Sequence, residues 1–289
     1  MERELWVLVS HLLDRLCRDL PLGHSGYGDD DILRCYFWSV VNREPVRWAC
    51  VPSHWPSHLW PYPFPSQSVM SKRLRHASVV QLMAALEQHL LSLTTVASLW
   101  VRMIDAKALP VGGSSKDRDA AWGRGSGSIQ RGYKFYAVWG DGPLPIAWGL
   151  APMNVSEQRM AQWLIPTLPG EGYLLGDKYY DNNKLFDLAG EAGYQLIAPK
   201  QKPGTGLGHQ RQSPYRLRSI ELRGRSFGKA LYRCRIQIEH CFAHLAAWVG
   251  GLEPLPFWVR RFHRVRNWVH AKLILYAVKQ MRSQLIAIE

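Results

Sequence analysis

Past residue 97 the chain alternates short apolar runs with amphipathic stretches, and their order narrows the fold more than any other feature of the sequence. "SLWVRMID" is an apolar run with strand character that stops on an acid, Asp105. "GYKFYAVWG" and "LPIAWGLAP" are two further strands, joined through Asp141-Gly142, a dipeptide suited to a hairpin. A helix is predicted from about Ser156 to Leu168. "GYLLGD" is another buried strand ending on an acid, Asp177. "NNKLFDLAGEAG" then reads as a helix closed by glycine, and "YQLIAP" as a fifth strand. Taken as one helix, "YRCRIQIEHCF" sets Tyr232, Arg235 and Glu239 on one face, beside a stripe of Ile238, Cys241, Phe242, Leu245 and Val249. By itself Glu239 reads as the partner of Arg235 in an ion pair one turn long.

Three strands in a meander, then helix, strand, helix, strand and helix, is the order of a ribonuclease-H-like α/β fold, here with a mixed five-stranded sheet. In that topology the first and fourth strands lie side by side at the centre. Asp105 and Asp177 are thereby brought together, and the last helix can deliver Glu239 to them. Three carboxylates so close repel one another, and divalent cations make such a cluster tolerable. The region's other acids end no buried strand: Asp181 is one turn past Asp177, Asp141 is a turn residue, and Asp117 and Asp119 lie in "GGSSKDRDAAWGRGSGS", which reads as a flexible surface loop.

Residues 1–95 read as helices. Glu2 to Leu20 carries leucines on one side, and a second helix follows the cap signal of Asp29 to Asp31. The segment from Pro52 to Pro65 is too rich in proline for regular structure. Ser66 looks like the N-cap of a short basic helix bearing Lys72, Arg73 and Arg75, and another helix runs from about Val79 to Leu93. Two readings fit this half equally: a helix-turn-helix DNA-binding domain, and a plain bundle with solvated basic residues. Residues 96–289 are assigned to the catalytic domain, with a basic insertion at about 200–230.

The formal net charge of +13 points to a polyanionic partner, nucleic acid first and an acidic membrane surface second. Much of it comes from Lys200, Lys202, Arg211, Arg216, Arg218, Arg223, Arg225, Lys229, Arg233 and Arg235, set against the single acid Glu221. That glycine-containing run is suited to ordering on phosphate. The helix near the C-terminus is expected to pack on the catalytic domain and to expose Arg260, Arg261 and Arg264 to DNA. No apolar run reaches membrane-spanning length, "MERELW" is not a signal-peptide start, and the five cysteines form no CxxC pair. A cytoplasmic protein is expected. Cys50 with His54 and His58, and Cys234 with His240, Cys241 and His244, lack the paired spacing of a structural zinc site.

"RMIDAKALPV", "LLGDKYYDNNKLFDLAGEAGYQLIAPK" and "YRCRIQIEHCF" resemble the three acidic motifs of the DDE transposases of bacterial insertion sequences, with Asp105, Asp177 and Glu239 in the matching places. Tyr232, Arg235 and Glu239 also match the spacing of that family's Tyr, Arg, Glu signature. The resemblance covers about Leu99 to the end of the chain. The signature continues to a lysine seven residues beyond the glutamate, where this chain has Ala246. The resemblance implies a transposase that holds two Mg²⁺ ions, replaceable by Mn²⁺, on the three acids. It would cut at terminal inverted repeats and join the ends to target DNA. It also implies double-stranded DNA as partner, a homodimer on that DNA, no membrane, a nucleoid-associated location, and DNA contacts from Lys178, Tyr232 and Arg235. Two alternatives stay open: a metal-dependent nuclease of the same fold without strand transfer, and a domesticated DNA-binding protein with weak catalysis.

Overall fold

The computed structural model describes residues 2–18, 26–59, 63–94, 100–125, 127–207, 209, 211–247 and 252–288. The chain divides into two compact units, one built from residues 95–244 and the other from residues 1–94 together with 245–289.

The first unit is organised by a mixed sheet. Its strands are β1 (Val101–Pro110), β2 (Ala121–Arg124), β3 (Ile129–Trp139), β4 (Ala147–Pro152), β5 (Gly172–Leu175) and β6 (Tyr194–Ile197). β1 is central, antiparallel to β3 on one side and parallel to β5 on the other, with β6 beyond β5. β2 and β4 both pair with β3, opposite its first and later residues respectively. The sheet therefore has six strands rather than five. The extra strand, β2, comes from the stretch read above as a flexible loop, where small and polar residues mask a ladder set by long-range pairing. Asp117 in that stretch is buried and accepts a hydrogen bond from the Tyr133 hydroxyl at 2.9 Å. The expected beginning of β1 at Ser98 and Leu99 lies outside the described residues.

Helices cover both faces. α6 (Glu157–Leu164) begins where the Ser156 hydroxyl accepts from the Arg159 N–H, and α7 (Asn183–Glu191) where the Asn182 side chain accepts from the Lys184 N–H. They bury Met160, Leu164, Leu185 and Phe186 against Ile104, Tyr136 and Val138 of the sheet. α8 (Pro214–Gly224) packs on β6 and α7, and α9 (Ser226–Arg233) follows at a corner. Gly228 makes that corner close, since a Cβ there would collide with the Leu222 carbonyl. The basic segment is thus partly built into the unit instead of waiting for phosphate to order it. α10 (Ile236–Ala247) lays Phe242 edge-on against Phe135 and Trp139, on the face opposite α6. The stretch expected as one helix is two: α9 ends at Arg233, and Tyr232 and Glu239 stand on different helices.

The other unit is all helical among its described residues, apart from loops and a 3₁₀ turn at Pro52–His54. It comprises α1 (Glu2–Cys17), α2 (Asp29–Val41), α3 (Val46–Ala49), α4 (Gln67–Arg73), α5 (Ala77–Leu93), α11 (Phe262–Gln280) and α12 (Arg282–Ile288). Asp31 accepts from the Gly28 N–H at 3.0 Å, and Ser66 caps α4 through the Val69 N–H at 3.3 Å. α11 packs on α1, α2 and α5, and its Lys272 donates to the Val40 carbonyl at 3.1 Å. The C-terminal helices therefore belong with the N-terminal ones, not with the sheet domain to which sequence order assigned residues 245–289. A helix buried nearly all round carries no stripe that names its neighbours. Among the described residues no helix is long and apolar enough to cross a membrane.

Candidate active site

The parallel pairing of β1 with β5 runs as far as Met103 opposite Leu175. Asp105 lies two residues past Met103, and Asp177 two residues past Leu175. β1 does not stop on the acid as expected but continues to Pro110, held by its pairing with β3. Asp105 therefore stands within its strand and Asp177 just past the end of β5, at the same level though 72 positions (177 less 105) separate them in sequence. Because β5 has ended, Asp105 has a β-partner on one side only, Ala137 of β3. Its Oδ1 accepts from the Ala106 N–H at 2.8 Å. Asp177 caps a 3₁₀ turn (Lys178–Tyr180) by accepting from the Tyr179 N–H at 2.8 Å.

Arg235, in the bend between α9 and α10, reaches both remaining parts of the site. One guanidinium nitrogen donates to Asp105 Oδ2 at 3.0 Å and the other to Glu239 Oε1 at 2.6 Å. The ion pair read from sequence between Arg235 and Glu239 is present, and it is half of a bridge to the sheet. The Tyr232 hydroxyl donates to the Gly176 carbonyl at 3.2 Å, fixing the end of α9 beside the residue before Asp177. Burial pushes the Asp105 carboxyl above its ordinary range and the charge of Asp177 adds to it, while the Ala106 N–H and Arg235 oppose the rise. The Glu239 side chain is the open member, 54% exposed against 19% for Asp105.

A fourth carboxylate escaped the sequence reading. Glu157 heads α6, where its side chain meets Lys134 Nζ of β3 at 3.5 Å. Its neighbour Gln158 donates to the Tyr179 carbonyl at 2.7 Å and accepts from Asn182, so the start of α6 is fastened to the loop of Asp177. Burial raises the Glu157 carboxyl, Asp177 and Asp105 raise it further, and Lys134 pulls it down. An acid in the first turn of a helix looks ordinary in sequence, because the helix dipole favours it there.

These residues suit a hard divalent cation in donor type, offering carboxylate oxygens only. Burial is the main cause of the raised Asp105 and Glu157 carboxyls, and Arg235 already puts a positive charge between Asp105 and Glu239. Among the described residues no three acids, histidines or cysteines stand close enough together to hold a metal ion. Ligation by Asp105 and Glu239 together requires Arg235 to yield.

The sequence profile of the family described as the transposase DDE domain matches residues 97–278. The chain belongs to that family. No curated protein and no solved structure matches it significantly. Membership implies an enzyme acting on DNA, and enzymes of the transposase DDE family generally use divalent metal ions. The match extends from the sheet unit through most of α11.

The basic residues of this transposase DDE domain and its helical companion divide by what they touch. Arg216 grips Asp181 with Nε at 2.7 Å and Nη2 at 2.8 Å, a forked pair that ties α8 to the loop after Asp177. It was expected on phosphate and is instead committed within the fold. Arg223 lies over the Tyr232 ring at 4.1 Å, Lys200 donates to the Thr205 carbonyl, and Arg73 pairs with Asp29. Lys178 stands over the Tyr179 ring at 5.7 Å, and Arg225 pairs with Glu221 on the open side of α8. Lys72, Arg75, Lys202, Arg211, Arg218, Lys229 and Arg233 are exposed.

Proposed function

We propose that the chain is a DNA transposase that cuts at the terminal inverted repeats of its element and joins the freed ends to target DNA. The observation that carries this reading is the matched level of Asp105 and Asp177 beyond the β1–β5 ladder, in a chain of the transposase DDE family. Asp105, Asp177 and Glu239 are the proposed ligands of two Mg²⁺ ions. Bound there, the metal would activate water or a 3′-hydroxyl and stabilise the leaving oxygen of a phosphodiester.

The protein's own groups do the rest. Arg235 holds Asp105 and Glu239 in reach of each other while no cation separates them, and on DNA it is free to turn toward phosphate. Tyr232, tied to Gly176, keeps the α9–α10 bend against the end of β5. Arg211, Arg218, Arg225, Lys229 and Arg233 offer exposed cations along one stretch of chain for the DNA backbone, with Lys178 and Lys202 nearer the site in sequence. In the other unit, α4 and α5 are joined by Leu74 to His76 only, which supports a helix-turn-helix reading with Lys72 and Arg75 as its phosphate contacts. Two ends must be cut for one insertion, so the proposed working unit is a homodimer on DNA.

A second reading is a nuclease of the same fold that cuts without joining; Ala246 in place of the family's lysine bears instead on whether catalysis is weak. One assay separates the two: protein, Mg²⁺, labelled linear DNA carrying the element's ends, and a supercoiled target. Joined products support the transposase; cleaved ends without joining support the nuclease.

A further inference from the structure

The turn that presents Asp177 is held from both ends. On the strand side, the Gly176 N–H donates to the Ile197 carbonyl at 3.0 Å, the Gly176 carbonyl accepts from the Tyr232 hydroxyl, and a Cβ on Gly176 would meet the Tyr180 ring at 2.9 Å. Within the turn, the carbonyls of Asp177, Lys178 and Tyr180 each accept from a later backbone N–H. Tyr179 differs. Its N–H donates to Asp177 Oδ1 at 2.8 Å, and its carbonyl accepts from Gln158 Nε2 of α6 at 2.7 Å. Both backbone groups of one residue thus run to side chains, one to the proposed ligand itself and the other to Gln158.

The helix that carries this glutamine does not need it. Ser156 already caps α6 through the Arg159 N–H, and Met160, Ala161 and Leu164 make its packing onto the sheet. Gln158 is half-buried, and its Oε1 accepts from Asn182 Nδ2 at 3.2 Å. With Oε1 engaged by a donor, the amide is oriented and Nε2 is the atom turned to the Tyr179 carbonyl. We propose that Gln158 is a positioning residue for the metal site. By holding the Tyr179 carbonyl it keeps the turn closed, which keeps the Tyr179 N–H on Asp177 Oδ1 and leaves Oδ2 for the cation. A carboxylate fixed in advance loses little freedom on binding; without Gln158 that ordering comes at the expense of metal affinity. The inference rests on the metal-site reading above and adds to it a residue outside the three acids.

The test titrates Mn²⁺ into the full chain without DNA, by calorimetry, and follows melting in chelator. Gln158→Met keeps the length of the side chain and removes its donor, and Gln158→Ala is a second removal. Asn182→Ser is the control, since serine can still cap α7 while the amide donor to Gln158 is gone. Both Gln158 variants should bind Mn²⁺ at least about tenfold more weakly, the scale of losing a group that orients a metal ligand, and Asn182→Ser should lose much less. All three should melt in chelator within about 4 °C of the parent, the scale of one part-exposed hydrogen bond. In cleavage of element ends, the Mg²⁺ concentration giving half the maximal rate should rise by a similar factor in Gln158→Met, while the rate at saturating Mg²⁺ stays within about threefold of the parent. Equal losses of Mn²⁺ affinity in Gln158→Met and Asn182→Ser would make Gln158 only a fastening between α6 and α7, and overturn the proposal. Unchanged affinity in the Gln158 variants of a parent that cleaves also overturns it, and leaves the transposase reading standing. Weaker Mn²⁺ binding in those variants, with no cleavage of element ends by the parent, supports the proposal and sinks that reading. A parent that takes up no Mn²⁺ and shows no metal-dependent cleavage sinks both.

Discussion

Arg235 donates to Asp105 across 130 residues of sequence, and through its second nitrogen it holds Glu239 as well. One guanidinium therefore stands where the charge of a cation is needed by two proposed ligands. If it competes with metal, Arg235→Gln should bind Mn²⁺ more tightly than the parent protein in the absence of DNA, by titration calorimetry. The same change should lower stability in metal-free buffer by about 1–3 kcal/mol, because it leaves a part-buried carboxylate without its partner. Unchanged Mn²⁺ affinity would mean that the bridge does not guard the site.

Asp105 and Glu157 supply a pH signature. Both carboxyls are raised in the fold, chiefly by burial, so the folded state holds their protons more tightly than the unfolded chain does. Their contribution favours the fold at low pH and is lost as pH climbs from about 4 through the raised values. Relative to the parent, Asp105→Asn should flatten that loss in urea melts taken without divalent metal. A parent and variant with parallel pH profiles would contradict the burial-driven shift.

Much of the sheet unit was legible because its strands are continuous apolar runs and its turns carry their own chemistry, as at Asp141-Gly142. Asp105 and Asp177 stood out because each closes such a run. What escaped depends on contacts far apart in sequence. Asp117 sits among glycines and serines that signal a loop, yet its partner is the hydroxyl of Tyr133, a neighbour only in the folded sheet. Arg216 looked like one more cation in a basic run, until folding set it against Asp181, 35 residues away. Glu157 was hidden by the ordinariness of an acid at a helix start. The destination of α11 could not be read at all, since residues on every side of it are buried.

That division of the arginines changes what salt dependence should reveal. Replacing Arg211, Arg218 and Arg225 by Gln should flatten the slope of log K against log salt by up to about 2.7, at roughly 0.9 per phosphate contact, with little effect on melting. Arg216→Gln should do the reverse and destabilise the fold by about 2–4 kcal/mol, since Asp181 then loses its forked partner in a largely buried place. An unchanged slope in the triple variant would reduce those residues to a solvated face.

Lys272 offers a handle on the helical unit. Burial, helped by Arg43, lowers its ammonium to about 7. A base held below its unfolded value, near 10.4, penalises the fold while charged in both states, so stability should rise as pH goes from about 7 toward 10. Lys272→Met should remove that rise, as read by thermal melts across the range. A variant that keeps the parent's slope would place its origin elsewhere.

The central claim is that Asp105, Asp177 and Glu239 form one metal-dependent site for cutting and joining DNA. The most direct measurement is cleavage of labelled element ends by the parent and by Asp105→Ala, Asp177→Ala and Glu239→Ala, each with Mg²⁺, with Mn²⁺ and with chelator, alongside DNA binding. The account predicts cleavage by the parent with either metal, none with chelator, and loss of cleavage in all three variants with affinity for DNA nearly intact. Near-normal cleavage by any one variant, or by the parent in chelator, would contradict it.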